Sequence, residues 1–243
     1  MLHASAASAM SYGYRSLSST PLDKWIRSQK GGHMQFLTIQ GLAVAWVTML
    51  LSLGNDIFPT VKSLRALKRA LFMIAMPLSV VISTIYWSLL LFLPNLILRR
   101  ESTNMEPTSS TAVPKFIRLD LNVDLALHAV PALTLFLDFI LFERPYSHKA
   151  ARRGAPLLSV LATLWYGSWV EYCASYNGMF PYPFLTGNPL PIRIAIYFGA
   201  CLLALLSFWA LNSVHTKPIL GHIGLQPVLR SYDRPTLKGT LED

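Results

Sequence analysis

Five long apolar runs constrain this chain more than any other feature. They occupy residues 36–53, 71–97, 121–142, 156–174 and 194–214. A helix needs about 18–20 residues to cross the roughly 30 Å hydrocarbon core of a bilayer, and each run approaches or exceeds that length. Because lipid offers no partner for unpaired backbone groups, such runs must fold as helices. The sequence therefore predicts an all-α fold, a polytopic transmembrane helical bundle.

The composition agrees with a membrane protein and argues against a soluble domain. Hydrophobic residues make up 53% of the chain and charged residues only 14%, whereas an ordinary soluble domain has about 25% charged residues. The net charge of +9 would suggest nucleic acid as the partner of a soluble protein. Here the Lys and Arg residues lie between the apolar runs, where they match lipid headgroups. We therefore expect membrane lipids and no nucleic acid as partners.

Residues 1–35 and 215–243 flank the predicted bundle, which comprises residues 36–214. The segment 2–18 is rich in Ala, Ser and Tyr, and hydropathy alone would leave it outside the membrane. Small-residue helices do pack inside membrane bundles, so this segment is a candidate for a sixth, weaker span. Residues 101–114 are rich in Ser, Thr and Pro and are predicted to form a polar loop.

Loop charge predicts the orientation in the membrane. The loops after the first and third apolar runs, together with the tail, carry more Lys and Arg than the opposite side. By the positive-inside rule the C-terminus, with the tail 215–243, lies in the cytosol. We expect a multi-pass protein of the endoplasmic reticulum, another endomembrane or the plasma membrane. The sequence does not choose among these, and it does not indicate an oligomeric state.

Ionisable side chains inside the apolar runs are candidates for function, because each costs about 2.5–3.5 kcal/mol at the bilayer centre even by the mildest scales. They are Asp124, His128, Asp138 and Glu171. Asp124 and His128 are four residues apart and share one helix face, so the carboxylate can orient the imidazole. Pro131 has no N–H and predicts a kink beside His128. Together these features favour a polar cavity over a lipid-facing surface.

Less specific interpretations compete for each of these residues. His128 can be a structural histidine, and Glu171 an interfacial carboxylate. Asp138 lies ten residues beyond His128, about 15 Å along the helix axis, so a helix–helix hydrogen bond is its simplest role. A metal site of Asp124, His128 and Glu171 is conceivable but has no ligand spacing beyond the four-residue step. Spacing alone does not choose a nucleophile among the Ser and Thr residues of the runs.

Four stretches of sequence, taken in order, resemble one family. They are GGHMQFLT at 31–38, His128 followed by Asp138, YSHK at 146–149, and WV at 169–170 followed by PYPFL at 181–185. In these the chain resembles the androgen-induced-gene/androgen-dependent TFPI-regulating protein family of multi-pass membrane proteins. The similarity extends over residues 31–212, which is most of the chain.

The resemblance implies an activity. Members of that family are threonine hydrolases that cleave fatty acid esters of hydroxy fatty acids within the membrane. The nucleophilic threonine of the family corresponds to Thr38 and its histidine to His128. The resemblance also implies six spans, of which residues 2–18 would form the first. The chain departs from the family at two positions, because Asp124 replaces an amide and Glu171 replaces a histidine.

The order of the apolar runs gives an independent reason to group these residues. Thr38 and His128 lie near the starts of the first and third runs, which cross the bilayer in the same direction and so begin in the same leaflet. Glu171 lies near the end of an oppositely directed run, which returns it to that leaflet. The loop 181–185 covers the same face. By the charge of the loops, this face is lumenal or extracellular.

With Thr38 and His128 in the roles that the resemblance implies, we expect a mechanism that needs no metal and no cofactor. Thr38 attacks the carbonyl of a lipid ester while His128 accepts its proton. Asp124 orients the imidazole, and Glu171 supports the site. The backbone N–H groups around Gly31–Gly32 or the hydroxyl of Tyr182 are the candidate oxyanion donors. The alternative is a non-catalytic, multi-pass lipid-binding or scaffold protein with the same fold.

Overall fold

Helices make up the fold of residues 1–99 and 116–215, the part of the chain that the computed structural model describes. In chain order they are α1 (Leu2–Ser16), α2 (Asp23–Ser28), α3 (Leu37–Ile57), α4 (Lys62–Phe92), α5 (Pro94–Ile97), α6 (Leu121–His128), α7 (Val130–Leu141), α8 (Ala155–Asn177), α9 (Pro183–Thr186) and α10 (Leu190–Val214). All five apolar runs are helical, which confirms the predicted all-α bundle. The predicted polar loop 101–114 and the predicted tail beyond residue 215 lie outside the described residues.

Proline residues determine where two of the apolar runs are broken. Pro94 begins α5 immediately after α4 has ended at Phe92, because proline lacks the N–H that would continue the helix. Pro131 lies in the first turn of α7, and α6 and α7 meet at an angle of 43°. The predicted kink beside His128 is therefore confirmed. Pro77, by contrast, lies inside α4 without ending it.

The number of helices that qualify as membrane spans is smaller than predicted. By length and apolar composition, α3, α4 and α10 qualify within the described chain, and the bent pair of α6 and α7 would make a fourth span. Helix α8 has 23 residues but does not qualify, because its second half carries Glu171 and several Tyr and Trp residues. The prediction of five strong spans is therefore too high by these criteria.

Helix α1 belongs to the bundle. Its buried residues recur at helical spacing and form one stripe: His3, Ala6, Ala7, Met10 and Gly13. The helix packs against α3, α6 and α7. A Cβ on Gly13 would lie 2.9 Å from the Cβ of Ala126, so the two backbones approach as closely as a glycine allows. The helix predicted at 2–18 is thus present, while its role as a sixth span remains a prediction.

Helix α4 lies at the centre of the bundle and packs against α3, α7, α8 and α10. The core around it includes Phe72 of α4 stacked on Phe139 of α7, with ring centroids 5.9 Å apart. On the outside, α10 exposes Phe198, Leu202 and Leu206. Large exposed apolar side chains of this kind suit contact with lipid rather than water.

Candidate functional site

Thr38 lies at the amino-terminal end of a long helix. Gly31 and Gly32 have φ values of +85° and +48°, and this left-handed turn, which glycine adopts without strain, brings the chain into α3. Thr38 is the second residue of α3 and is buried. The first N–H groups of a helix have no partner within the helix, and the helix dipole makes this end positive. The Thr38 hydroxyl therefore lies among donors that favour developing negative charge.

Tyr182 contacts this helix end directly. Its hydroxyl interacts with the Thr38 side chain and with the backbone of Leu37 and Thr38. The ring of Phe36 holds the Tyr182 ring edge-on at 5.6 Å between centroids. The Tyr182 ring is half-buried, but its hydroxyl lies inside the protein, and this loss of solvation raises the pKa of Tyr182 above its ordinary value of 10.0. Tyr182 is therefore protonated at neutral pH and can donate a hydrogen bond.

The two predicted sets of oxyanion donors occupy different surroundings. Tyr182 meets Thr38, whereas the N–H of Gly32 already donates to the carbonyl of Gln29 at 3.0 Å. Gly31 packs so closely against Cys173 of α8 that an added Cβ would lie 2.6 Å from its sulfur. The two glycines thus shape the turn before α3, and the structure brings Tyr182, not the glycine pair, to the threonine.

The structure also brings Asp124 and His128 together. The Nδ1 atom of His128 lies 2.7 Å from Oδ1 of Asp124, and both side chains are buried. When Nδ1–H donates to this carboxylate, Nε2 carries the free lone pair and can accept a proton. The ring of Tyr86 stacks on the imidazole, with a centroid distance of 3.4 Å and an interplanar angle of 1°, and its side chain also interacts with Asp124. The stacking therefore fixes the plane of the imidazole, and the contact with Asp124 fixes the position of Nδ1.

A cavity of about 270 Å³ lies between α3, α4, α8 and α10, close to the lower end of the roughly 300–1,000 Å³ found for small-molecule pockets. Hydroxyl groups gather at the end where α3 begins. They belong to Thr38, Tyr86, Tyr166, Tyr182 and Tyr197. Most of the remaining lining is aliphatic. The cavity therefore combines a polar end, which holds the predicted nucleophile, with an apolar body.

Thr38 and His128 lie at the same depth in the bundle. Helices α3 and α4 are antiparallel, and Ile82 of α4 lies against Gly41 of α3. Tyr86 is one helical turn beyond Ile82, and the start of α3 is one turn before Gly41, so Tyr86 is level with Thr38. His128 stacks on Tyr86 and shares this level. Tyr86 lines the cavity, whereas His128 and Asp124 do not, so Tyr86 lies between the cavity and the buried imidazole.

Glu171 lies elsewhere on the wall of the bundle. Its carboxylate accepts hydrogen bonds from Arg193 at 2.7 and 2.8 Å and from the hydroxyl of Tyr197 at 3.0 Å. These bonds join α8 to α10, and Tyr197 lines the cavity. In residues 1–99 and 116–215 no three His, Cys, Asp or Glu side chains are placed to hold a metal ion. Asp124, His128 and Glu171 therefore do not form the alternative metal site.

Three tyrosines of the site were missed by reasoning from the sequence. Tyr86, Tyr166 and Tyr197 lie in apolar runs, and a search for ionisable groups passes over them because they are neutral at pH 7. Their signal is weak but present, since a phenol in an apolar helix needs a hydrogen-bond partner. The backbone N–H groups of Leu37 and Thr38 carry no signal in the sequence beyond the predicted start of a helix.

Comparison with known proteins supports the assignment of the whole described chain to one family. A family model described as FAR-17a/AIG1-like protein matches residues 1–216. A UPF0641 membrane protein of Schizosaccharomyces pombe is 28% identical over 194 residues, which cover 79% of each chain. A UPF0641 membrane protein of Saccharomyces cerevisiae is 28% identical over 170 residues, or 65% of this chain and 67% of that one. No solved structure matches the chain.

Proposed function

The chain belongs to the FAR-17a/AIG1-like family of membrane proteins, and on that premise we propose that it hydrolyses fatty acid esters of hydroxy fatty acids within the membrane. Thr38 is the nucleophile and His128 the base, and no cofactor takes part. One observation carries the proposal. The Thr38 hydroxyl lies at the polar end of an apolar cavity, level with a buried histidine that a carboxylate orients.

The reaction proceeds in two steps. Thr38 Oγ attacks the ester carbonyl while Nε2 of His128 accepts its proton, directly or through one water. The ester C–O bond breaks, and the hydroxy fatty acid leaves with the proton that His128 returns. Water then attacks the acyl-threonine with His128 again as base, which releases the fatty acid and restores the hydroxyl of Thr38.

Backbone and phenol donors stabilise the tetrahedral intermediate. The N–H groups of Leu37 and Thr38 and the hydroxyl of Tyr182 converge at the start of α3. The positive end of the helix dipole adds to their effect. Loss of one such donor typically lowers kcat by about 10²–10³-fold. In this proposal Tyr182 replaces the Gly31–Gly32 backbone as the donor beside Thr38.

The supporting residues act at a distance from the reacting atoms. Asp124 holds the imidazole in the tautomer that leaves Nε2 free. Glu171 holds Tyr197 against the cavity and Arg193 against the carbonyl of Asn188. With the C-terminus in the cytosol, this end of the bundle faces the lumen or the exterior. Charged products then leave into the headgroup region on that side.

Hydrolysis by the purified full-length protein tests the proposal. The substrate is a palmitic acid ester of hydroxystearic acid, presented in detergent micelles. Thr38→Ala is expected to abolish hydrolysis, and Thr38→Ser to retain part of it because the hydroxyl remains. Thr48→Ala is the matched control, since Thr48 is a fully buried threonine of the same helix that donates to the carbonyl of Val44 at 2.7 Å.

A thermal melt of each variant separates loss of chemistry from loss of folding. The proposal fails if Thr38→Ala folds as the wild type does and hydrolyses the ester at the wild-type rate. The cavity would then serve lipid binding alone, and the protein would be a non-catalytic lipid-binding or scaffold member of its family.

A further inference from the structure

Small side chains on two helices create the cavity. Ser159, Ala162 and Thr163 of α8 line it from one side, and Ala200 and Ala204 of α10 from the other. Ser159 lies three and four residues before Ala162 and Thr163, and Ala200 lies four residues before Ala204, so each set shares one helix face. Tightly packed membrane helices normally fill such a face with a neighbour's side chains. Here the space remains open between α8, α10 and α4.

The cavity is deep compared with its volume. Seven residues separate Tyr197, level with the polar end, from Ala204 on α10, which is about 10 Å along the helix. Thirteen residues separate Tyr86 from Met73 on α4, or about 20 Å. One leaflet of hydrocarbon is about 15 Å thick, half of the bilayer core. The lining of the cavity therefore extends about 10–20 Å along its helices, which is comparable with the thickness of one leaflet.

The far end of the cavity is mainly apolar. Met73, Leu158 and Ala204 line it there, and Met73 packs against Gly154 just before α8. No Asp, Glu, Lys or Arg lines the cavity in the described part of the chain. Burying an unpaired carboxylate in such surroundings is costly, whereas a methyl group fits without cost. A chain that ends in a methyl group can reach this floor, and one that ends in a carboxylate cannot.

We infer that the cavity receives the fatty acyl part of the ester, methyl end first, and that Ala204 limits the length of acyl chain that the site accepts. The hydroxy fatty acid part, which carries the free carboxylate, stays at the polar end. This inference rests on the proposed function for the position of the carbonyl. The shape and polarity of the cavity determine which part of the ester enters it.

Chain-length preference is the direct test. Esters that share one hydroxy fatty acid and carry a butyryl, octanoyl or palmitoyl group are compared with wild type, Ala204→Phe and Ala200→Phe. Ala204→Phe should lower kcat/KM for the palmitoyl ester by roughly 100-fold relative to the octanoyl ester, as expected if a few methylenes are displaced from the cavity. Ala200→Phe, nearer to Thr38, should exclude the octanoyl group as well.

Ala210→Phe provides the matched control, because Ala210 is an exposed residue of the same helix outside the cavity. Its chain-length preference should equal that of the wild type. Ala204→Leu replaces the larger substitution if Ala204→Phe does not fold, and a smaller shift in the same direction is expected. Equal preferences in the cavity variants and the control would overturn the inference.

A binding assay separates this inference from the proposed function. The Thr38→Ala protein is titrated with octanoic and palmitic acid, and binding is measured by native mass spectrometry. Ala204→Phe in this background should weaken binding of palmitic acid and leave octanoic acid unchanged. If the wild type proves to have no hydrolase activity, this selective loss still supports the acyl-chain site. Equal loss of both acids, or of neither, contradicts it.

Discussion

The two ends of the bundle both bury polar side chains, but they differ in how these are paired. At the end away from the cavity lies an ion cluster of His3, Ser52, Lys68, Asp138 and Glu143. Lys68 Nζ lies 3.1 Å from Asp138 and 2.9 Å from Glu143, and Ser52 donates to Asp138 at 2.9 Å. At the site end, the paired groups Asp124 and His128 lie behind tyrosines that face an unfilled cavity.

This difference indicates which buried polar side chains stabilise the fold and which belong to the functional site. The charges of the ion cluster are paired with each other, and Arg69 also pairs with Glu143, so no ligand is needed to balance them. The cluster also ties α1 to the bundle, because His3 hydrogen-bonds Asp56 and lies 3.3 Å from Asp138. The hydroxyl groups of the site end face space that a ligand must fill. The helix–helix role predicted for Asp138 is confirmed.

The largest effect is expected at the site end. His128→Ala should lower kcat/KM for the ester by at least about 10³-fold, because the hydroxyl of Thr38 loses its base. The double variant of Thr38→Ala and His128→Ala should be no worse than either single variant, since a nucleophile and its base act as one unit. Steady-state kinetics of the four proteins give the comparison, with thermal melts as the folding control. Multiplicative losses would show that the two residues act independently.

The next effect falls on stability and concerns the ion cluster. Lys68→Met removes the lysine partner of buried Asp138, while Glu143 keeps its ion pair with Arg69. Removing one partner of a buried pair costs about 3–5 kcal/mol. Equilibrium unfolding in detergent measures this loss. Lys62→Met, an exposed lysine at the start of the same helix, is the control and should change stability little.

The hydrolase activity of the Lys68→Met protein tests whether the ion cluster contributes to the site. Lys68→Met protein that remains folded should hydrolyse the ester at nearly the wild-type rate, because Lys68 is far from Thr38. A normal unfolding free energy combined with lost activity would show instead that the ion cluster is part of the site and not a structural element.

A smaller effect is expected from Asp124→Asn. The amide can still accept the hydrogen bond from Nδ1 of His128, so kcat/KM should fall by less than about 10²-fold. Activity should decline in acid in both proteins, because a protonated imidazole cannot accept a proton. Steady-state kinetics of both proteins measure the loss, with thermal melts as the folding control. A loss as large as that of His128→Ala would show that Asp124 does more than orient the imidazole.

Local relations in the sequence predicted part of this arrangement. The spacing of four residues places Asp124 against His128, and Pro131 produces the expected kink. These features depend on one helix at a time, so spacing and proline chemistry are sufficient to predict them. The helical class of the fold was predicted from the lengths of the apolar runs, which are likewise a property of one helix at a time.

Relations between distant segments were not predictable in the same way. The stacking of Tyr86 on His128 depends on how α4 is rotated in the bundle, and the contact of Tyr182 with Thr38 joins residues 144 positions apart. Hydropathy also misjudged two helices. It would leave α1 outside the bundle, although neighbouring helices bury the small residues of α1. It also predicted a strong span at α8, whose aromatic and acidic residues lower its mean hydropathy.

The smallest expected effect concerns Asp23, a charged group near the polar end but outside the apolar spans. Arg27 donates to both carboxylate oxygens at 2.9 Å, and His33 lies 2.7 Å away. These hydrogen bonds, that from Arg27 first, lower the pKa of Asp23 below its ordinary value of 3.8. Because the folded protein favours the ionised form, Asp23 stabilises the fold above pH 3.8, and this contribution disappears as the pH falls through the lowered value.

Asp23→Asn should therefore melt slightly below the wild type at neutral pH, and the difference should vanish in strong acid. Thermal melts of both proteins across this pH range measure the effect. Asp120→Asn is the control, because Asp120 is an exposed carboxylate whose side chain makes no capping hydrogen bond at the start of α6. Since His33 belongs to the turn that leads to Thr38, Asp23→Asn should also raise KM slightly. A pH-independent difference in melting would show that Asp23 acts through packing and not through its charge.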